Sequence, residues 1–243
     1  MKSNNFNILK IDKGNGKVRT VYAVNNNLKI QLNKCLPYLE KKLNKLDKTH
    51  SNFAFEKNKN CVQGALKHLG FKYTLTMDLA NFFDSIKREH VSKLIDESIL
   101  DLCLIEDSPK QGLPTSPLIA TIAFLKCDEA ILNTLNKDIV YTRYADDLAF
   151  SFNDKSIHHQ LISEVTQIAE SNGFLINSNK TKFQSYKNGR RIITGIGVDN
   201  DKLYPTRKVI RKIRAAKHQK KKYSYLGLLE WAKCKPPKNY KTG

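Results

Sequence analysis

Two short runs of alternating apolar residues, Val140 to Tyr144 and Leu148 to Phe152, meet at Ala145-Asp146-Asp147. No other stretch constrains the fold as tightly. Successive side chains on a strand point to opposite faces, so adjacent carboxylates serve one site only where the chain turns. A hairpin with the aspartates at its tip meets that requirement. Two anions held together repel, and one takes up a proton unless a counter-charge is near. A divalent cation removes the conflict. A bare Asp-Asp pair also fits an ordinary solvated turn, so the rest of the chain decides between the two readings.

The 243 residues are enough for one large domain or two small ones with a genuine core. Lys and Arg total 42 against 23 Asp and Glu, a formal charge of +19. Such an excess favours a polyanionic partner, nucleic acid first. A membrane surface also attracts basic proteins. No apolar run reaches the roughly eighteen residues of a span, however, and no signal peptide opens the sequence, so the expectation is a cytoplasmic protein without a membrane partner. The five cysteines, Cys35, Cys61, Cys103, Cys127 and Cys234, are scattered without C-x-x-C spacing. That argues for small buried hydrophobes rather than a disulfide framework or a zinc site.

In chain order, Ile8 to Ile11 and Val18 to Val24 read as a hairpin whose tip, Lys13-Gly14-Asn15-Gly16-Lys17, is glycine-rich and cationic. Lys13, Lys17 and Arg19 suit either a solvated surface or a clamp on a triphosphate. Leucines at 28, 32, 36, 39, 43 and 46 predict a helix that Pro37 should kink or interrupt. Val62 to Leu69 predicts a short helix carrying His68, a histidine of the packed or capping kind. Tyr73 to Asp78 alternates as a strand ending in a carboxylate. One helix should follow from Ile86 to Cys103, with Asp84 as its candidate cap. Ser116 as cap and Pro117 at the first turn then open an apolar, buried helix running to Leu135. Beyond the aspartate hairpin, Ile157 to Ala169 share a helical face closed by Gly173, and Thr181 to Tyr186 reads as a strand. Ile192 to Val198, with a strand around Leu203-Tyr204, reads as a small hairpin. Pro205 to Lys222 predicts a helix dense in Arg207, Lys208, Arg211, Lys212, Arg214 and Lys217, a phosphate-tracking pattern more than a merely solvated one. Tyr225 to Ala232 adds a last helical piece.

With the Ser116 helix set aside as an insertion, the order is strand, helix, two strands, helix, strand. That is the ferredoxin-like split arrangement, an α+β fold. Neighbouring strands lie about 4.8 Å apart, so a strand ending at Asp78 beside the hairpin would let Asp78, Asp146 and Asp147 share two cations. Two Mg²⁺ ions lower the pKa of an attacking hydroxyl and stabilise the charge that grows in an in-line phosphoryl transfer. A basic protein with such a site reads as a nucleotidyl transferase.

Thr76-Met77-Asp78 with Phe82-Phe83, then Gln111-Gly112-Leu113-Pro114-Thr115-Ser116-Pro117, then Tyr144-Ala145-Asp146-Asp147, resemble in that order the signature blocks of reverse transcriptases. The resemblance is closest to the bacterial retron type, whose V-T-G block is matched by Ile193-Thr194-Gly195, and it covers nearly the whole chain. It implies a right-hand polymerase: fingers at 1–72 and 104–116, a palm with a ferredoxin-like sheet at 73–103 and 117–204, and a short helical thumb at 205–243. Asp78, Asp146 and Asp147 would hold two Mg²⁺ ions, or Mn²⁺ in their place, with help from the Leu79 carbonyl. Phe83 would block a ribose 2′-hydroxyl and Gln111 would line the nucleotide pocket. Lys13, Lys17 and Arg19 would clamp the dNTP, and Lys180 would stand near the leaving pyrophosphate. Tyr144, a Thr194-Gly195 primer grip, and Arg207, Arg211 and Arg214 would contact primer and template. There are departures: Gly64-Ala65-Leu66-Lys67-His68 stands where the family usually has Asn-Ala-x-x-His, Ala23 and Asp84 stand where it often has proline, and its N-terminal extension is nearly absent.

The function so implied is an RNA-directed DNA polymerase that copies part of a structured noncoding RNA into single-stranded DNA, with an effector protein, in antiphage defence. One alternative is another defence-associated or mobile-element reverse transcriptase. Another, of a different class, is a non-catalytic RNA-binding protein on a polymerase scaffold.

Overall fold

Alternation near the N-terminus builds an antiparallel ribbon in which β1 (Phe6–Asp12) pairs with β2 (Val18–Val24). The computed structural model describes residues 5–236 apart from 13, 15 and 17, so the expected cations Lys13 and Lys17 lie outside the described residues. In chain order there follow α1 (Asn26–Leu46), α2 (Cys61–Leu66), β3 (Tyr73–Asp78), α3 (Phe82–Ser85), α4 (Glu97–Cys103) and α5 (Ser116–Thr134). Then come β4 (Val140–Tyr144), β5 (Asp147–Phe152), α6 (His158–Ser171), β6 (Lys182–Ser185), β7 (Arg191–Ile193), β8 (Ile196–Val198), β9 (Leu203–Pro205), α7 (Arg207–His218) and α8 (Lys222–Ala232). The chain gathers into two units, one of residues 1–50, 79–133 and 167–175, the other of 51–78, 134–166 and 176–243.

In the first unit, the Asn25 side chain caps α1 by accepting from the Leu28 amide at 2.8 Å. The helix runs through Pro37 without a break, so of the expected kink or interruption the interruption does not occur. Leu32 and Cys35 before the proline, and Leu39 and Leu43 after it, are all buried on one stripe. Proline inside a helix costs about 3 kcal/mol, while each buried leucine contributes about 2 kcal/mol, so the stripe outweighs the lost bond. Phe82, Phe124 and Phe174 pack together with ring centroids 5.0 to 6.0 Å apart.

The single helix expected from Ile86 to Cys103 is instead α3, a 3-10 turn at Arg88–His90, and α4. Ile86 and Lys87 are extended, and Asp84 lies inside α3 rather than capping a longer helix. The break is held partly from outside the segment, by Ser108 and Asp107. Ser108 donates its hydroxyl to the Ile86 carbonyl at 2.7 Å, and Arg88 is tied to Glu97, Asp101 and Asp107. Ser116 does not cap α5 either: it is the first helical residue, and its hydroxyl donates to the Lys110 carbonyl at 2.7 Å.

In the second unit four strands pair antiparallel in the order β4-β5-β3-β6, the ferredoxin-like order read from the sequence. The expected small hairpin is a three-stranded sheet, β7-β8-β9. Thr194 and Gly195 both have positive φ, 45° and 80°, and form a two-residue turn, so residues 192–198 fold back on themselves. Val62 and Ala65 of α2 pack with Ala149, Ile193, Ile196 and Val198 in one core cluster.

Candidate active site

Asp78 closes β3 and Asp147 opens β5, and the register sets them directly opposite each other. Tyr144 pairs with Asp147 across the β4–β5 hairpin, which leaves Ala145, at φ 58°, and Asp146 as its two-residue tip. Cross-strand partners share a face, so Thr74, Thr76 and Asp78 of β3 lie on the same side as Ser151, Ala149 and Asp147 of β5. The carboxylates stand at one end of that face.

The Asp78 carbonyl accepts from the Asn177 amide at 2.7 Å, and Asn177 in turn anchors the turn at Ser178–Lys180. This returns Lys180 to the strand end. Its ammonium lies 2.7 and 2.8 Å from the two oxygens of the buried Asp78 carboxylate, and the bond to Asp78 pushes its pKa up. Although part of Asp147 faces solvent, loss of water around its carboxyl, then the charges of Asp146 and Asp78, push it up to about 6, against the pull of Lys180. Burial, with Cys61 as a smaller cause, also raises Tyr144. A cavity of about 310 Å³ is lined by Asp78, Asp147, Lys180, Gln184, Thr194 and Gly195, among others. Among the described residues no group of three or more His, Cys, Asp or Glu side chains is set to hold a metal ion.

The face continues into a buried polar network that sequence reasoning did not find. His68 bonds to Ser151 Oγ at 2.8 Å through Nδ1 and to Thr142 Oγ1 at 2.7 Å through Nε2, and Ser151 Oγ lies 2.7 Å from Thr74 Oγ1. Arg191, taken from the sequence as part of a basic turn, is buried and donates to the His68 carbonyl, Thr74 Oγ1 and the Asp199 carbonyl. His68 is thus the packed histidine expected. No local signal marks Arg191.

The remaining candidates fall elsewhere. Arg207, Arg211 and Arg214 are exposed on α7, where Arg211 joins Lys208 and Lys212 along a groove of about 530 Å³. Arg19, Leu79, Phe83 and Gln111 belong to the first unit. Arg19 is exposed on β2, Leu79 is buried next to Asp78 in the chain, and Phe83 is half-buried against Phe82. The Gln111 carbonyl accepts from the Tyr22 amide at 2.7 Å.

Residues 11–229 match the family model described as reverse transcriptase (RNA-dependent DNA polymerase). The chain belongs to the reverse transcriptase family. It is 28% identical over 212 residues to the retron Ec86 reverse transcriptase of Escherichia coli, covering 83% of this chain and 65% of that protein. To the retron Ec73 reverse transcriptase of the same organism it is 32% identical over 219 residues, covering 79% of this chain and 68% of that protein. The chain spans roughly half to two thirds of the length of the curated relatives it matches. Among solved structures, apo telomerase from Candida tropicalis, truncated from its C-terminal domain, aligns with TM-score 0.58 at 15% identity, covering 83% of this chain and 55% of that one. The foamy viral protease-reverse transcriptase in complex with double-stranded DNA aligns with TM-score 0.57 at 21% identity, covering 94% and 36%. These likenesses show the right-hand polymerase fold, an α+β architecture. No helix among the described residues of this reverse transcriptase family member is long and apolar enough to cross a membrane.

Proposed function

We propose that the chain is an RNA-directed DNA polymerase of the retron type, which copies part of a structured noncoding RNA into single-stranded DNA. The observation that carries this reading is the in-register pair Asp78 and Asp147 at adjoining strand ends, with Lys180 on Asp78 and the Thr194-Gly195 turn on the same cavity. Family membership supports it, as do the retron relatives. In this reading the fingers are 1–72 and 104–116, the palm 73–103 and 117–204, and the thumb 205–243.

Carboxylate oxygens are the hard donors that Mg²⁺ and Mn²⁺ take, and the lost solvation and neighbouring negative charge that raise Asp147 are what a cation would offset. In this reading Asp78, Asp146 and Asp147, with the Leu79 carbonyl, would be the ligands of two divalent ions, although as they stand these side chains do not form a ready three-ligand group. Bound there, such ions would make the primer hydroxyl more acidic and stabilise the charge that grows as it attacks the dNTP α-phosphate in line and pyrophosphate leaves. Lys180, its pKa raised, stays protonated at neutral pH and offers its charge and proton to the leaving pyrophosphate. A Cβ placed on Gly195 would meet no atom within 4 Å, so the turn is open on that side. Lys13, Lys17, Arg19 and Gln111 bind the incoming nucleotide, and Phe83 excludes a 2′-hydroxyl. Tyr144, Thr194, Gly195, Arg207, Arg211 and Arg214 hold primer and template. The setting is cytoplasmic antiphage defence with an effector protein.

Asp146→Ala should abolish primer extension while leaving RNA binding largely intact, and retained synthesis in that variant overturns the reading. Sequencing the nucleic acid that copurifies separates a retron enzyme from other reverse transcriptases. A metal-dependent incorporation assay separates both from a non-catalytic binder.

A further inference from the structure

A row of polar side chains crosses the sheet at the end of the face away from the carboxylates. Gln184 of β6, Thr74 of β3 and Ser151 of β5 are register partners. Thr74 stands four residues before Asp78, about 13 Å along a strand that rises about 3.3 Å per residue. The first two residues of β7 are fastened to this row. Gln184 Nε2 donates to the Ile192 carbonyl at 2.9 Å, and Gln184 Oε1 accepts from the Ile192 amide at 2.7 Å. One side-chain amide thereby stands in for a neighbouring strand. Beside it, the buried Arg191 guanidinium donates to Thr74 Oγ1 at 3.4 Å and to the His68 carbonyl at 3.1 Å.

Two residues further along, the chain reaches the Thr194-Gly195 turn on the cavity that holds Asp78 and Asp147. That tip is strained. Thr194 is β-branched yet has φ 45°, and its Oγ1 is buried with no hydrogen-bond partner. A strained tip keeps its place only if its base is fixed. The Arg191 side chain holds the position before Ile192, β8 pairs with β7, and Ile193 and Ile196 sit in the core cluster; the two bonds from Gln184 to Ile192 add the tie that fixes the backbone just before the tip to β6.

We propose that Gln184 is a positioning residue: by fixing Ile192 it sets the distance of the Thr194-Gly195 turn from Asp78 and Asp147, and so the place where a primer end can lie. The proposal rests on the polymerase reading of that cavity. Gln184 is half-buried on an edge strand, outside the apolar core cluster, so its loss leaves the core in place. A misplacement of about 1 Å at a reacting centre costs up to about a hundredfold in rate.

The test uses the full chain with Mg²⁺, a defined RNA template, a DNA primer and dNTPs. Gln184→Ala should lower kcat/KM for primer–template about tenfold, with the KM for dNTP and the thermal midpoint unchanged. Gln184→Glu keeps the acceptor for the Ile192 amide and should recover part of the loss. The proposal is overturned if Gln184→Ala extends primers like the wild type. It is equally overturned if activity falls only in step with the thermal midpoint and Gln184→Glu recovers nothing. Absence of metal-dependent incorporation by the wild type would instead remove the polymerase reading itself.

Discussion

His68 and Asp147 carry pKa shifts that act on stability in opposite senses. Burial, and secondarily the charge of Arg191, hold the His68 imidazole at about 3 against an ordinary 6.5. Below pH 6.5 the unfolded chain takes a proton at His68 that the folded chain refuses. Its contribution is therefore complete above pH 6.5 and is lost as pH falls toward 3, by up to about 1.4 kcal/mol per pH unit. Asp147 at about 6 stands above its ordinary 3.8. There the folded chain takes the proton first, so stability rises as pH falls from 6 to 3.8, by less than the full amount because solvent screens an exposed carboxylate. In metal-free buffer the wild type shows the sum, a shallow slope. Asp147→Asn removes the offset, and its urea midpoint should fall more steeply between about pH 6 and 4 than that of the wild type. Equal slopes would show that the Asp147 carboxyl is not desolvated and held among like charges as described.

At the scale of elements, the loop at 110–115 is pressed onto β2. Gly112 has φ 110°, and a Cβ placed there would lie 2.4 Å from the Tyr22 carbonyl oxygen, beside the bond from the Tyr22 amide to the Gln111 carbonyl. Gly112→Ala therefore meets both backbone strain and a backbone clash. It should destabilise the protein by at least about 2 kcal/mol in urea melts, and an unchanged midpoint would mean the loop does not dock there. What was legible in the sequence divides along the same line between local and distant causes. Tyr73–Asp78 was readable to the residue, because strict alternation ends in a carboxylate; the tip between β4 and β5 was readable to within one residue, since Asp147 opens β5 instead of sharing the tip with Asp146. Those two readings were enough to set Asp78 beside Asp147. The helix expected over 86–103 failed although Val91, Leu94, Ile95 and Ile99 keep a helical period. Its path is set in part by Ser108, 22 residues from Ile86, and by Asp107, 19 residues from Arg88, both beyond the end of the helical pattern. The bond from Lys180 to Asp78 spans 102 residues, and only the family resemblance had suggested that Lys180 belongs there. Arg191 was hidden for the same reason: a basic residue beside a turn reads as solvated until β7 buries it.

For the molecule as a whole, the charge of +19 has two separable consequences. A diffuse positive field draws any polyanion in and raises its association rate. Direct phosphate contacts release counterions, and each one adds about 0.7 to 0.9 to the slope of log affinity against log salt. α7 is where the second effect should concentrate, since it carries Arg207, Lys208, Arg211, Lys212, Arg214 and Lys217 without one acidic residue. Replacing Arg207, Arg211 and Arg214 together by glutamine lowers the net charge by only three, a small change in the long-range field. If the three arginines each meet a phosphate, the salt slope for a structured RNA should nonetheless drop by about 2 to 3. Fluorescence anisotropy titrations between about 50 and 200 mM KCl would measure it, a range over which such contacts change affinity by orders of magnitude. A weaker affinity with an unchanged slope would assign these arginines to the general field and move the phosphate contacts off α7.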